Sequence, residues 1–152
     1  MTRDKIIEEI ESLLFIEAEF GALFDIQIDY LKETVRLDVL STSRKRIKRT
    51  NLLFEQVLSL YMCKSEDAEG FRLNELNYKD DALLSEISCH PFGFGKINVE
   101  TINAKIKGIE NITSNTNFYF QVNNKDYFFL EANRLVINRK VFNNLLMFKK
   151  DT

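Results

Sequence analysis

Apolar and polar residues alternate with a period of two in the segment Asn117–Arg139, which gives the clearest structural signal in the chain. Three apolar runs (118–122, 127–132 and 135–138) are separated by Asn123-Asn124-Lys125 and by Asn133-Arg134. The two-residue period is typical of half-buried strands. Asparagine suits the breaks because it tolerates left-handed backbone and its side chain bonds to nearby main chain. The segment therefore predicts a β-meander of three strands.

A second segment with the same period, Leu23–Val39, predicts a hairpin with its turn at Lys32-Glu33. Its apolar positions are Phe24, Ile26, Ile28, Tyr30, Val35, Leu37 and Val39. Its intervening polar positions are Asp25, Gln27, Asp29, Arg36 and Asp38. We expect one apolar face and one charged face, on which Asp and Arg side chains can pair across the strands.

One helix is predicted near the start of the chain, at about Arg3–Phe15. Its apolar residues recur at spacings of three and four, and they are Ile6, Ile7, Ile10, Leu13 and Leu14. Thr2 is a candidate N-cap, and Asp4 suits the positive end of the helix dipole.

The middle of the chain predicts further strands. Leu52–Cys63 fits either one helical face or strands interrupted by a bulge near Glu55-Gln56, and the neighbouring β-patterns favour strand. Leu83–Cys89 predicts another strand, and Ile97–Ile106 continues the sheet with a change of phase that indicates a bulge or bend. Gly108–Asn117 is a polar loop, and 141–148 predicts a short helix or a docked tail.

These elements define a fold class. One helix followed by about seven to nine strands without interleaved helices predicts an α+β, mainly β protein. We expect a largely antiparallel sheet, curled into a sandwich or an open barrel. The length of 152 residues and the content of 45% hydrophobic and 29% charged residues fit one globular domain spanning residues 1–152.

The overall charge and the lack of long apolar runs argue against nucleic acids and membranes as partners. The formal net charge is −2, and nucleic-acid binding normally requires a basic face, so no nucleic acid is expected. No apolar run reaches the ~18 residues of a membrane span, and acidic residues interrupt the N-terminal segment where a signal peptide needs an apolar one. We therefore expect a cytoplasmic protein that does not bind membranes, in which Cys63 and Cys89 are reduced.

No motif for catalysis or for metal binding is assembled in the sequence. His90 is the single histidine, and Cys89 beside it is a poor partner because adjacent strand residues point to opposite faces. The two cysteines lack the spacing of a zinc site. Phe92-Gly93-Phe94-Gly95-Lys96 lacks both the third glycine of a dinucleotide motif and the Gly-Lys-Ser/Thr ending of a phosphate loop, so a turn is favoured. We therefore predict no catalytic, cofactor-binding or metal-binding residues and no enzyme activity.

Two further features leave alternatives open. The 13 Phe and five Tyr residues could line a ligand cavity inside a barrel, but they more often fill a β-core. Glu131 follows an apolar run; an inward position would require a partner such as Arg134 or Arg139, and an outward position is favoured.

Two charged strips are candidates for partner binding. Asp25, Asp29 and Asp38 fall on the exposed face of the first hairpin, where they could attract a basic partner. The basic stretch that contains Arg44, Arg46 and Lys48 could bind phosphate or acidic groups. A solvated edge strand or loop is favoured for this stretch because lysines at a sheet edge discourage aggregation.

The sequence resembles a group of small proteins. The features that carry the resemblance are the acidic N-terminal helix, Asp29-Tyr30, the stretch 51–57 (NLLFEQV), the stretch 117–120 (NFYF) and the stretch 129–132 (FLEA). In this pattern the chain is similar to small uncharacterised proteins near polymorphic-toxin loci of Gram-positive bacteria, some of which are presumed immunity proteins. The resemblance implies a cytoplasmic, non-enzymatic binding protein whose partner is a protein. The alternative is a small-molecule carrier with an aromatic-lined β-barrel cavity.

Overall fold

The computed structural model describes residues 2–43, 46–64, 82–94, 96–98 and 113–147. Its helix, α1, spans Arg3–Glu17. The strands are β1 (Ala22–Asp29), β2 (Thr34–Ser43), β3 (Arg46–Lys64), β4 (Ala82–Cys89), β5 (Lys96–Asn98), β6 (Thr113–Asn115), β7 (Phe118–Val122), β8 (Asp126–Ile137) and β9 (Lys140–Phe142). The expected fold class is confirmed: one N-terminal helix precedes a large antiparallel sheet.

The main sheet forms a ring. Its strand order is β3-β2-β1-β4-β7-β8-β9, and β3 also pairs with β8, so the sheet returns on itself. The pairing of β1 with β4 is short, because Ala22 pairs with Leu83 and Leu23 with Ala82 before the two strands diverge. The pairing of β3 with β8, in contrast, extends from Leu52 to Lys64. The ring is therefore weakest between β1 and β4.

Helix α1 packs against this weak junction. In the turn that follows the helix, the Glu19 carboxylate accepts a hydrogen bond from the Ile87 backbone N–H at 3.3 Å. Further along β4, the Glu11 carboxylate accepts one from the Cys89 backbone N–H at 2.9 Å. One carboxylate of the helix and one of the turn after it thus accept the hydrogen bonds that a neighbouring strand would accept along the edge of β4.

The core lies between α1 and the inner face of the ring. Ile10 and Leu14 of the helix have no solvent exposure. Phe54 and Phe118 meet edge to face at 5.0 Å between ring centroids. Phe120 and Phe128 stack at 4.5 Å. These aromatic residues fill the core, as the sequence favours.

The helix prediction is confirmed to within two residues at its C-terminal end. Thr2 occupies the N-cap position, but its side chain makes no capping hydrogen bond there. Its carbonyl oxygen accepts the Ile6 N–H at 3.1 Å instead. Thr2 therefore contributes to the start of the helix through its backbone.

The two strands of the first hairpin are confirmed, but at the start of β1 the inward-facing residue is not the predicted one. The β1–β2 register shifts between Leu23 and Asp25, so Leu23, and not Phe24, shares a face with Ile26. Phe24 instead lies beside the Arg49 guanidinium, whose central carbon is 4.7 Å from the ring centroid. A β-bulge explains the correction, because one extra residue moves the preceding side chains to the other face.

Leu52–Cys63 is strand throughout and lies within β3, as the sequence favours. The irregularity falls close to the predicted bulge: Gln56 has φ +52°, and the pairing with β8 shifts between Val57 and Ser59.

The predicted meander has two strands where three were expected. The break at Asn133-Arg134 is wrong, because β8 runs through both residues. Opposite them, Gln56 accepts a 2.7 Å hydrogen bond from the Asn133 side chain, so both strands change phase together and stay paired. The break at Asn123-Asn124 is confirmed, with φ of +55° at both residues.

Two smaller predictions also need correction. β5 pairs with β6 in a separate two-stranded sheet and does not continue the main one, and β6 lies within the predicted 108–117 loop. Residues 99–112, where the phase change was predicted, lie outside the described residues. Val141 and Phe142 belong to β9, and a short 3₁₀ turn at 145–147 follows.

Candidate functional site

The acidic residues of the first hairpin are partly compensated by a neighbouring arginine. The Arg36 guanidinium lies 3.4 Å from the Asp38 carboxylate and 3.9 Å from that of Asp25. Asp38 also accepts a 2.6 Å hydrogen bond from the Asn51 side chain. The structure thus brings Asp25 and Asp38 together around one cation, which weakens their field toward a partner.

The basic stretch begins β3. Arg44 lies outside the described residues, whereas Arg46 and Lys48 are exposed and pair with β2 alone among the residues that the structure describes. The Lys48 ammonium lies 2.7 Å from the Glu17 carboxylate of the helix. This geometry matches the solvated edge strand that the sequence favours.

The third acidic candidate, Asp29, lines an exposed apolar cleft at the β1–β2 turn. The cleft has a volume of about 530 Å³. Four of its large apolar side chains are more than half exposed: Ile28 (60%), Tyr30 (88%), Leu31 (89%) and Leu58 (67%). We call this surface the tip cleft. Contiguous apolar exposure of this kind marks interaction sites in soluble proteins.

The turn beside the tip cleft is held by local and long-range hydrogen bonds. The Asp29 carboxylate accepts the Lys32 backbone N–H at 3.1 Å. The carbonyl oxygen of Glu33 accepts the Val57 N–H of β3 at 3.0 Å. The tip cleft is therefore built on anchored backbone, which reduces the entropy lost when a partner binds.

The sequence missed the tip cleft because alternation does not show where a core ends. The period of two placed Ile28 and Tyr30 on the buried face of the hairpin, and both side chains are exposed. Ile28 pairs with Val35, which is 2% exposed. At this level β1 has diverged from β4, whereas Val35 is also flanked by Phe54 of β3, so Ile28 reaches solvent while its cross-strand partner stays buried.

A second cleft lies on the outer face of β4, β7 and β8. It has a volume of about 490 Å³ and is lined by Glu86, Ser88, His90, Phe94, Tyr119, Tyr127 and Phe129. We call it the aromatic cleft. Tyr119 is central: its ring lies 5.3 Å from Phe94, 5.4 Å from Phe129 and 6.3 Å from Tyr127.

The turn after β4 brings Phe94 into the aromatic cleft. Gly93 has φ +96°, and a Cβ at that residue would collide with the Asn115 side chain. The Phe94 N–H donates to the Thr116 carbonyl oxygen at 2.5 Å, which fixes the turn against the chain before β7. Glycine is thus needed here for both its backbone conformation and its small size.

Burial and the nearby Glu86 carboxylate raise the pKa of the Tyr119 phenol, with burial the larger cause. Tyr119 is 8% exposed, and its oxygen accepts a 3.1 Å hydrogen bond from the Gln121 side chain. The phenol therefore stays neutral well above neutral pH and leaves Glu86 as the acidic group of the aromatic cleft.

His90 belongs to this cleft and not to the core. Its Nε2 atom lies 2.9 Å from the Ser88 hydroxyl, and its ring contacts Phe94 edge to face at 4.6 Å. Cys89 between them is buried, so the expected divergence of Cys89 and His90 is confirmed. His90 and Glu86 thus line the same cleft.

Glu131 lies on the outer face, as the sequence favours, between the buried residues Leu130 and Ala132. Its carboxylate accepts the Asn115 backbone N–H at 3.4 Å and so contacts the small β5–β6 sheet. Outward orientation thus still gives this carboxylate a structural contact.

Two further features of the described part of the chain concern metal binding and membrane insertion. No group of three or more His, Cys, Asp or Glu residues there is arranged to hold a metal ion. No helix in that part is long and apolar enough to cross a bilayer.

Comparison with known proteins places the chain in a family. No curated protein matches it. A family described as YxiG-like protein matches residues 12–142, a range that contains both the tip cleft and the aromatic cleft. Because this match covers most of the sequence, the chain belongs to the YxiG-like protein family.

Proposed function

We propose that this protein is a non-enzymatic, cytoplasmic binding protein whose partner is another protein, and that it works as an immunity-type factor by occluding a toxin. The observation that carries the binding role is the tip cleft, where Tyr30 and Leu31 are each nearly nine-tenths exposed. The immunity role is supported by the resemblance described under Sequence analysis.

The energetics of the tip cleft support protein binding. Burying one large apolar side chain contributes roughly 1.5–3 kcal/mol, so four converging side chains can drive association. Tyrosine is enriched among the residues that dominate binding energy at protein interfaces. The anchored turn presents these side chains without a large ordering cost.

The rim of the tip cleft indicates the charge of the partner. Among the described residues, Asp29 and Glu33 line the tip cleft itself, whereas Lys32 and Arg36 line an adjoining cleft at the same turn. A partner with an apolar ridge flanked by basic residues would complement this surface and associate faster for that reason. Within the predicted acidic strip, Asp29 is thus the residue that this proposal uses directly.

The small-molecule carrier has less support. It depends on aromatic residues lining the interior, and the inner rings contact one another: Phe120 stacks on Phe128, and Phe54 meets Phe118. Rings in mutual contact favour a packed core over a lined cavity.

The test is binding between this protein and the product of the gene adjacent to its own, measured by calorimetry with purified proteins. We expect submicromolar affinity and neutralisation of the toxic activity when the two are co-expressed. The variants Leu31→Asp and Tyr30→Ser should each weaken binding by ~30-fold or more, as expected of interface anchors.

The matched control is Ile47→Asp, because Ile47 is an apolar residue of similar exposure (78%) that does not line the tip cleft. It should leave affinity unchanged. No binding at micromolar concentration would contradict the proposal, and equal losses for Leu31→Asp and Ile47→Asp would remove the tip cleft as the interface.

A further inference from the structure

We infer that the aromatic cleft binds the guanidinium group of an arginine side chain presented by a protein. The inference rests on the proposed function only in taking the partner to be a protein. The residues that line the aromatic cleft differ from those that line the tip cleft. Tyr127 and Phe129 alternate along β8 with the buried Phe128 and Leu130, which places the aromatic cleft on the outer face of the sheet.

The ring geometry suits a flat group. The Tyr119 ring plane lies 20° from that of Phe94 and 22° from that of Tyr127, so it is close to parallel with each of two neighbouring rings, whereas Phe129 is tilted by 38° to it. Phe94 is 46% exposed, and Tyr127 and Phe129 are half-buried, so aromatic surface is open to solvent. A planar guanidinium can stack on such surfaces, whereas a tetrahedral ammonium has no plane to match.

The charge of the aromatic cleft favours a cation. Glu86 is exposed and lines it, while no lysine or arginine among the residues that the structure describes does. A carboxylate beside aromatic faces offers a guanidinium an ion pair and a cation–π contact at once. The same carboxylate disfavours phosphate groups and gives no charge contact to a neutral sugar.

Three other polar side chains of the aromatic cleft, Ser88, His90 and Tyr119, already have hydrogen-bond partners. The Ser88 hydroxyl and the His90 imidazole share a hydrogen bond, and the Tyr119 oxygen accepts one from Gln121. Glu86 therefore carries the charge recognition in this site, and the rings carry the shape recognition.

The test titrates the intact protein with three small probes and follows amide shifts by NMR. The probes are N-acetyl-arginine methylamide, its neutral citrulline analogue and N-acetyl-lysine methylamide. We expect shifts in β4, β7 and β8 with the arginine probe, and affinities about tenfold lower for the other two. Glu86→Gln should reduce arginine binding to the level of the citrulline probe.

Glu8→Gln is the matched control, because Glu8 is an exposed carboxylate on the helix and does not line the aromatic cleft. It should change nothing. Equal binding of the arginine and citrulline probes, an unaltered affinity in Glu86→Gln, or no shift up to the solubility limit would each overturn the inference. Glucose is titrated in a separate experiment, and binding with the same shifts as the arginine probe would also overturn the inference and indicate a glycan site.

The two proposals fail separately. Leu31→Asp should weaken binding of the protein partner by ~30-fold or more and leave arginine-probe binding intact. Loss of probe binding in Glu86→Gln with full retention of the protein partner would place the arginine site outside the partner interface and leave the proposed function standing.

Discussion

The backbone N–H of Cys89 donates a 2.9 Å hydrogen bond to the side-chain carboxylate of Glu11. The bond joins β4 to the helix at the place where β4 has diverged from β1. A buried backbone donor without a partner costs about 1–3 kcal/mol, so Glu11 does more than solubilise the helix. Glu11 and Glu19 together provide β4 with hydrogen-bond acceptors that a neighbouring strand would otherwise provide.

Glu11→Ala should therefore lower the free energy of unfolding by about 1–3 kcal/mol, because it leaves the Cys89 donor unsatisfied. Glu11→Gln keeps an acceptor and should lose less. Urea denaturation followed by circular dichroism measures both variants. Glu8→Ala, on the exposed face of the same helix, should stay within about 0.5 kcal/mol of the parent protein. If Glu11→Ala is as stable as Glu8→Ala, the carboxylate does not support β4.

Asn123 and Asn124 form the β7–β8 turn with identical backbone conformation but different side-chain roles. Both have φ +55°, and the Asn123 side chain accepts the Leu83 N–H at 2.8 Å, whereas that of Asn124 is exposed. Asn124→Gly should change stability by no more than about 0.5 kcal/mol, because glycine adopts this conformation freely. Asn123→Gly should cost about 1 kcal/mol more, because it loses the hydrogen bond. Thermal denaturation of the pair tests this, and equal melting temperatures would contradict it.

The buried side chain of Asn117 pairs with the backbone of Ala132 in the way that the backbone of a neighbouring strand would. Its side chain accepts the Ala132 N–H at 2.9 Å and donates to the Ala132 carbonyl oxygen at 2.8 Å, while the residue is 1% exposed. Asn117→Leu should cost about 2–4 kcal/mol, since two buried backbone groups lose their partners. Hydrogen exchange at the Ala132 amide should accelerate more than global destabilisation explains. The exposed Asn143, changed to Ala, is the control, and normal protection of Ala132 in Asn117→Leu would contradict the role.

The sequence predicted those features that depend on local chemistry. Alternating residues located β2, because every second residue from Val35 to Val39 is buried. The Asn123-Asn124 break followed from the tolerance of asparagine for left-handed backbone. Asn133 has the same residue type and gave a false break, because its side chain pairs with Gln56 across the ladder and the strand continues. Only the partner strand distinguishes these two cases.

The candidate sites depend on long-range geometry and were harder to predict. Tyr119 and Phe129 pair across the β7–β8 turn, but Phe94 is distant from both in sequence and reaches them only because β4, which precedes it, lies beside β7. Tyr119 and Phe129 do alternate with buried residues, which marks them as outward-facing and is the signal that could have identified the aromatic cleft. The tip cleft gave no such signal, because Ile28 continues the apolar phase of its strand past the end of the core.

The two cysteines should differ sharply in reactivity. Cys63 is exposed, whereas burial, reinforced by the nearby Glu11 carboxylate, raises the pKa of the Cys89 thiol from 9.0 to about 12. A thiol reagent near pH 8 should modify one cysteine in the native protein and two in denaturant, since the thiolate is the reactive form. Cys63→Ser should leave no rapidly reacting thiol, and two fast native thiols would contradict the burial of Cys89.

The raised pKa of Cys89 also sets a pH dependence of stability. The folded-state pKa exceeds the unfolded value of 9.0, so the unfolded chain loses this proton first as pH rises. The stabilisation is complete below about pH 9 and is lost progressively toward about pH 12. Relative to Cys89→Ala, the parent protein should lose about 1.4 kcal/mol between neutral pH and pH 10, measured by urea denaturation. If the difference in free energy of unfolding between the two proteins stays constant across this range, the Cys89 thiol ionises as readily in the folded chain as in the unfolded one.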